Sequence, residues 1–381
     1  MLRAVSVFFL LATVTLAPPE RPPATLFALA PGSPLAVGRQ PADVAVGDVN
    51  GDGHLDILTA NVGSSDISLL LGEGRGGFRA APAIAFPGST PPHRILIRDV
   101  NNDKRPDLVV SSHDSNDVVV LLGDGHGGFA SAPGSPFPAL RATPPHNHGL
   151  EVADLNGDGE VDIVTGNQND NSVSVLLGDG GAFRPAPGSP FAVGRSPYPL
   201  ALGDVNRDRH LDIVAPNVGS NSVSVLLGDG RGDFRAAAGS PIAVATRPYA
   251  VALGDLNADG RLDSVISHDD ITLITILLGD GRGGFRPAPG SPYDVGHRAG
   301  RLVLADFNRD GRLDLASGTA ADTVVVLLGN ARGGFAPALG SPFAAGPGPW
   351  AVAVADVNGD GKPDILTANL QGNSVTILLG R

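Results

Sequence analysis

The chain has 381 residues, 42% of them hydrophobic and none of them Cys, so a large core is available but disulfide staples, thiol chemistry and lipid-modified Cys are excluded. Its formal net charge of −12 suggests a surface that repels nucleic acid. Gly 52 and Pro 33 are high but recur at fixed places, which marks turns and not disorder.

At the N-terminus, Arg3 precedes an apolar run over residues 4–17, the length of a signal-peptide core and too short for a spanning helix. A Pro-rich stretch follows. Cleavage is expected between Ala17 and Ala24, so residues 1–24 read as signal peptide and leader, and residues 25–381 as one domain. A secreted, periplasmic or cell-surface location follows, with no transmembrane segment in the mature chain.

The next segment, Leu26-Phe27-Ala28-Leu29, is strand-like and is followed by Pro31-Gly32-Ser33-Pro34. Then comes a nine-residue loop, Asp48-Val49-Asn50-Gly51-Asp52-Gly53-His54-Leu55-Asp56, with Asp or Asn at positions 1, 3, 5 and 9 and apolar runs on both sides. It recurs six times. The copies carry Asp99, Asn101, Asp103 and Asp107; Asp154, Asn156, Asp158 and Asp162; Asp204, Asn206, Asp208 and Asp212; Asp255, Asn257, Asp259 and Asp263; Asp306, Asn308, Asp310 and Asp314; and Asp356, Asn358, Asp360 and Asp364. The first Asp advances by 51, 55, 50, 51, 51 and 50 residues. Repeats of this length with strand-like flanks predict an all-β, seven-bladed propeller.

The fourth repeat shows the expected blade. Pro199 to Gly203 reads as strand A, the Asp loop turns the chain, and Ile213 to Ala215 reads as strand B. Ser222 to Leu227 alternates polar and apolar as strand C, Gly228 to Asp233 is a Gly-rich hairpin turn, and Phe234 opens strand D. Pro recurs in D, which makes D the outermost strand of a four-stranded antiparallel blade. The sequence ends on a strand C, Val375 to Gly380, and Phe27 aligns with the Phe that opens each D strand. The N-terminal strand is therefore expected to complete the last blade and close the ring.

The Asp-x-Asn-x-Asp-Gly-x-x-Asp loop, the Leu-Leu-Gly-Asp-Gly stretch and the Gly-Gly-Phe turn resemble FG-GAP/VCBS-type repeats and, more distantly, the N-terminal propeller of integrin alpha subunits. The resemblance spans about residues 26 to 381. It implies a calcium-bearing propeller used for adhesion or ligand binding and fixes no activity.

Hard oxygen donors at alternate positions of a tight loop suit calcium, so up to seven ions are expected. Position 7 would contribute a backbone carbonyl, which leaves His54 and His210 there as surface groups. Position 6 is Gly except at Lys104 and Arg209, so those two loops are expected to bind most weakly. Three Asp in each loop account for 21 of the 39 acidic residues, and seven divalent cations would bring the net charge to about +2. The acidity is thus mostly chelation.

Strand directions put the Asp loops and Gly-Gly-Phe turns on one face, and the B–C turns and D–A links on the other. Six positions before each first Asp stand Ala42, His93, His148, Tyr198, Tyr249, Gly300 and Trp350. Strand A is innermost in a propeller, so His93, His148, Tyr198, Tyr249 and Trp350 are expected to ring one mouth of the channel and bind ligand; packing between blades is the alternative. Arg94, His146, Arg298 and Arg301 lie nearby and could read acidic groups. His146, His148 and Glu151 raise a transition-metal site or a general base, with a hydrogen-bonded cluster as the alternative. Arg231-Gly232-Asp233 spells an integrin-binding tripeptide, but one substitution in a repeated Arg-Gly-Gly accounts for it.

The reading is a secreted, calcium-binding, non-catalytic module, expected as a monomer, for a carbohydrate or protein ligand. One alternative is a polysaccharide lyase or other hydrolytic enzyme using His, Tyr and Arg groups opposite the Asp loops. A purely structural or adhesive module is another.

Overall fold

Each repeat folds as one antiparallel sheet in the computed structural model, which describes residues 25–139 and 146–381. The expected signal segment, residues 1–24, lies outside the described residues. Seven sheets form seven blades. Blade 1 takes strands A, B and C from Pro41–Gly47, Asp56–Asn61 and Asp66–Gly72. Its D strand is split, Phe78–Ala80 and Ile84–Ala85, with both pieces paired to C. The same plan repeats through blade 7, whose A strand is Pro349–Ala355. No helix among the described residues is long and apolar enough to cross a membrane.

Strand B is buried at every residue in every blade. It runs mid-blade and is covered on both faces by the neighbouring blades, which is why apolar residues stand side by side in it, as Ile57-Leu58 and Ile213-Val214-Ala215 do, in place of a strict alternation. The core accordingly lies between blades. One cluster joins Val164, Val173 and Val175 of blade 3 to Ile213, Ala215 and Leu226 of blade 4. Each such Val, Leu or Ile contributes roughly 1.5–3 kcal/mol of burial.

The split in strand D has a chemical cause. In six blades a Gly-Ser-Pro turn interrupts it, and the Ser hydroxyl accepts the N–H of a strand C residue: Val120 to Ser135, Val175 to Ser189, Val225 to Ser240, Ile276 to Ser291, Val326 to Ser341 and Ile377 to Ser33. The hydroxyl replaces a carbonyl where the Pro-containing edge strand bends away.

The ring closes as expected. Phe27–Leu29 and Leu35–Ala36 both pair with Ser374–Gly380. Phe27 packs edge-on against Phe307 and Phe343, with centroids 5.5 and 5.4 Å away. A cluster of Val44, Ile57 and Leu70 with Leu366, Val375 and Ile377 seals blade 7 to blade 1.

One buried carboxylate per blade ties this frame together. The ninth loop residue opens strand B and is fully buried in all seven copies. Asp56 Oδ2 accepts the Val49 N–H at 3.0 Å, and its Oδ1 accepts the Gly72 N–H at 2.8 Å. Asp107, Asp162, Asp212, Asp263, Asp314 and Asp364 repeat both bonds. Burial pushes the carboxyls of Asp162, Asp212 and Asp364 up to about 6, with the two N–H bonds pulling back and the like charges nearer the rim adding to the rise.

Strand B ends on Asn in four blades; in three the Asn amide bonds two strand C hydroxyls, as Asn217 does with Ser222 and Ser224, and in blade 1 Asn61 bonds the Asp66 carboxylate and the Ser68 hydroxyl. Blade 5 substitutes His268. Its Nδ1 lies 2.7 Å from the Thr246 carbonyl and its Nε2 2.8 Å from Thr275 Oγ1. Burial lowers its pKa, only partly offset by the Thr246 bond.

Two predictions follow from these contacts. Below about pH 6.5 the unfolded chain takes up a proton on His268 that the folded chain resists, so this residue's contribution to stability falls as pH drops through that window. The variant His268→Asn should match the parent's melting temperature near pH 8 and exceed it near pH 5; a gap that does not widen on acidification would refute this. A chain beginning at residue 39 should lose the closing strand, expose the edge of Ser374–Gly380 and aggregate or melt far lower. Size-exclusion chromatography and calorimetry read both outcomes.

Candidate functional site

The mouth opposite the Asp loops is built by β-bulges. The A–B register slips between Pro41 and Asp43, Pro92 and Arg94, Asn147 and Gly149, Pro248 and Val251, Ala299 and Leu302, and Pro349 and Ala351. Each slip contains one residue of the expected ring: Ala42, His93, His148, Tyr249, Gly300 and Trp350. In blade 4 the ring residue, Tyr198, stands beside a lone bridge from Pro197 to Asn217. A bulge leaves one residue unpaired and re-aims its side chain. The sequence shows the recurrence of this position and not the bulge.

The structure gathers most of the ring. Tyr198 and Tyr249 have centroids 5.3 Å apart, and Tyr249 meets Trp350 edge to face at 5.9 Å. Trp350 is 38% exposed, an unusual state for the chain's single Trp. It lines two cavities. One, of about 220 Å³, is bounded by Tyr249, Asp269, Arg298, Gly300, Asp322 and Gln371 among others. The other, of about 260 Å³, is bounded by Gln40, Ala42, His93, His113 and Asp114 among others. Tyr249 is only 7% exposed, so it backs Trp350 more than it offers a face of its own. Burial raises its hydroxyl pKa far above the ordinary value, which keeps it a neutral donor. Burial also raises the Tyr198 hydroxyl. The side chain of His148 lies outside the described residues.

Of the Arg expected to read an acidic ligand, Arg94 is instead committed below the mouth, and Arg301 is buried there with no hydrogen-bond partner for its guanidinium among the described residues. Arg94 donates to Glu151 Oε1 at 2.8 Å and to the Leu150 carbonyl at 3.1 Å, and lies 3.7 Å from Asp43 Oδ2. Arg301 lies 3.5 Å from Asp43 Oδ1. Asp43 and Arg301 side chains are each 6% exposed, so this is a neutral ionic knot across blades 1, 2, 3 and 6. Burial raises the Asp43 carboxyl, while Arg94 and the N–H groups of Ile95 and Val44 pull it back. Arg94, Glu151 and Arg301 line a channel cavity of about 470 Å³. Arg298 stays at the mouth and donates to the Asp269 carbonyl at 3.3 Å. Sequence reasoning missed Asp43, whose signal was an acidic residue at an inward strand A position.

His146 and Glu151 do not form one site: Glu151 joins the knot, and His146 turns to blade 2. There it meets His113 edge to face at 4.0 Å and lies 3.7 Å from Asp114 Oδ1. Burial, then the neighbouring His113, lower the His146 pKa. The His113-Asp114 pair in the B–C turn also went unread, although no other blade places His there.

On the opposite face each Asp loop is folded around its own N–H groups. Asp48 Oδ1 accepts from Gly51 at 2.8 Å, Asp48 Oδ2 from Gly53 at 2.9 Å, Asn50 Oδ1 from Asp52 at 2.9 Å, and Asp52 Oδ1 from His54 at 2.9 Å. The His54 N–H, then Asn50, hold the Asp52 carboxyl below its ordinary value. Positions 4 and 6 adopt positive φ, including Lys104 at 66° and Arg209 at 73°, where Gly is unstrained. The His54 ring lies over Gly74 of the C–D hairpin, where a Cβ would come within 2.3 Å of it, so this His is a surface cover. The donor set suits calcium: Asp48, Asn50 and Asp52 each keep an oxygen with an unused lone pair, and Asp56 lies beneath. Among the described residues the loop carboxylates are not gathered in threes within 4.8 Å.

On the 2.9 Å bond to its own following residue, Phe234, the Asp233 carboxylate is turned back into its hairpin. That agrees with reading Arg231-Gly232-Asp233 as a product of the repeat.

Among solved structures, the chain is similar to BBS1N in complex with ARL6DN, with TM-score 0.66 and 12% identity over 94% of this chain and 98% of that one. It is similar to an Agrocybe aegerita lectin that recognises non-reducing terminal N-acetylglucosamine, with TM-score 0.56 and 18% identity over 89% and 86%. A Staphylococcus aureus virginiamycin B lyase, catalytically inactive and bound to quinupristin, gives TM-score 0.57 and 12% identity over 92% and 97%. At these identities the likeness shows the fold alone. No curated protein matches. The FG-GAP-like repeat profile matches residues 48–110, 99–165, 154–215 and 306–367. Each interval begins on a first-position Asp, and together they cover more than half of the chain. With seven such loops in register on seven blades, the chain belongs to the FG-GAP-like repeat family.

Proposed function

We propose that this protein is an exported, calcium-stapled propeller that binds a carbohydrate or protein ligand at the channel mouth opposite its Asp loops, without catalysis. The observation that carries the reading is Trp350: a half-exposed indole held by a bulge, backed by Tyr249 and shared by two cavities. A flat aromatic face with Asp269, Asp322, Gln371 and Arg298 around it suits a sugar ring, with stacking for the face and hydrogen bonds for the hydroxyls. The similar fold of a lectin supports the carbohydrate class. The alternative of a polysaccharide lyase or other hydrolase draws on His113, whose Nδ1 lies 2.7 Å from Asp114 Oδ1 beside the second cavity. Turnover of any glycan that binds separates the two readings.

Calcium is assigned to the loops as a structural ion, up to seven per chain, through the first, third, fifth and ninth positions. In excess chelator the melting temperature should fall substantially, since one site at a hundredfold excess over its dissociation constant contributes about 2.7 kcal/mol. An identical melting curve with and without chelator would end the calcium reading.

For the ligand face, a glycan array on the purified chain supplies the probe. The variant Trp350→Ala should then weaken the best hit by tenfold or more, with calcium-dependent melting unchanged. Arg75→Ala and Arg332→Ala, on hairpins of the Asp-loop face, should leave binding as it was. A ligand that responds to the Arg variants and ignores Trp350→Ala would place the site on the wrong face.

A further inference from the structure

A second cluster at the mouth has donor chemistry unlike that of the Asp loops. His113 and Asp114 form the B–C turn of blade 2, and His146 leads into strand A of blade 3. The Asn147 N–H donates to the His113 carbonyl at 3.0 Å, which fixes the link of one blade to the turn of the other. Asp114 Oδ1 sits between the imidazoles, 2.7 Å from His113 Nδ1 and 3.7 Å from His146 Nδ1. One ligand atom from each residue lies within 4.8 Å of the other two, and no other three His or acidic side chains among the described residues do so. His93 packs against His113 with centroids 5.2 Å apart. The blade does not require these residues: the turn reads Val62-Gly63 in blade 1, Val218-Gly219 in blade 4 and Ala320-Ala321 in blade 6.

We propose that His113, Asp114 and His146 bind one divalent transition-metal ion of the zinc class, separate from the seven Asp loops. Metal–nitrogen and metal–oxygen bonds of about 2.0–2.1 Å in tetrahedral geometry place ligand atoms about 3.3 Å apart. The observed separations of 2.7 and 3.7 Å straddle that value, so small side-chain rotations complete the site. Two imidazoles select a borderline ion over calcium, which prefers oxygen alone. The three side chains are 33%, 65% and 23% exposed in chain order, so an ion can enter from solvent. Three protein ligands leave a fourth position for water or for an oxygen of a molecule in the adjoining cavity, which His113, Asp114 and Trp350 all line.

The test uses the tag-free chain, saturated with calcium, stripped of transition metals and titrated with zinc by calorimetry. One zinc per chain at micromolar affinity or tighter is expected. His113→Asn, Asp114→Asn and His146→Asn should each weaken it tenfold or more, while the calcium-dependent melting temperature stays that of the parent. Cobalt in place of zinc should give visible absorption bands that each variant loses. Asp114→Asn decides the matter if a His variant fails to fold, because Asp114 is mostly exposed and its amide isostere leaves the turn intact. Absence of stoichiometric zinc binding, or zinc affinity unchanged in Asp114→Asn, overturns the proposal.

Discussion

At the base of every blade a buried Asp carboxylate holds two backbone N–H groups, one in the loop that leaves strand A and one at the end of strand C. The A–B loop and the C–D hairpin share a face but lie far apart along the chain, and this bond pair fixes one to the other. A buried carboxylate without such partners costs several kcal/mol, so the loop and hairpin cannot drift independently. With the ends of the strands pinned seven times in the same way, blade-to-blade packing repeats closely enough for seven sheets to meet and close. The Asp-loop face is uniform because each copy performs the same structural task.

Variation is thereby displaced to the other face. Its links and turns are braced largely through link N–H groups, as Val193 and Val244 bond the Asn171 and Asn221 carbonyls, and in six blades a bulge in strand A turns one ring residue toward the mouth. A bulge adds a residue without changing the pairing on either side, so the ring can range from Gly300 through His93 to Trp350 on a constant frame. The blade thus tolerates any ring residue that fits the bulge.

What the sequence made legible follows the same division. Asp48 and its six equivalents set the period, and the period set blade number, strand order and the closing role of Phe27. The mouth ring was legible by position because every ring residue stands the same distance before its loop. The unread elements join residues from different blades. Asp43 meets Arg94 and Arg301, and His113 meets His146, at sequence separations no local pattern encodes. Arg94 and Arg301 looked like ligand groups because the acidic partner between them, on another blade, was not recognised. The division of strand D was also missed: Gly-Ser-Pro recurs in six repeats, but the sequence does not show that its Ser hydroxyl stands in for a strand D carbonyl.

The ionic knot constrains what the mouth can recognise. Two Arg and two acids meet where seven inner strands converge, and their charges cancel. Taking Arg94 for an anionic ligand would strip Glu151 of its donor and Asp43 of one of its two cations, a loss that few single ligand contacts repay. On the proposed reading of the mouth as a ligand site, recognition falls to the layer above: the Trp350 face, the cluster of His113 with Asp114 and His146, and Arg298, which donates one nitrogen to the Asp269 carbonyl. On that reading the flat Trp350 face suits a polar molecule with a flat side, and the buried charges beneath it keep Arg94 out of the contact.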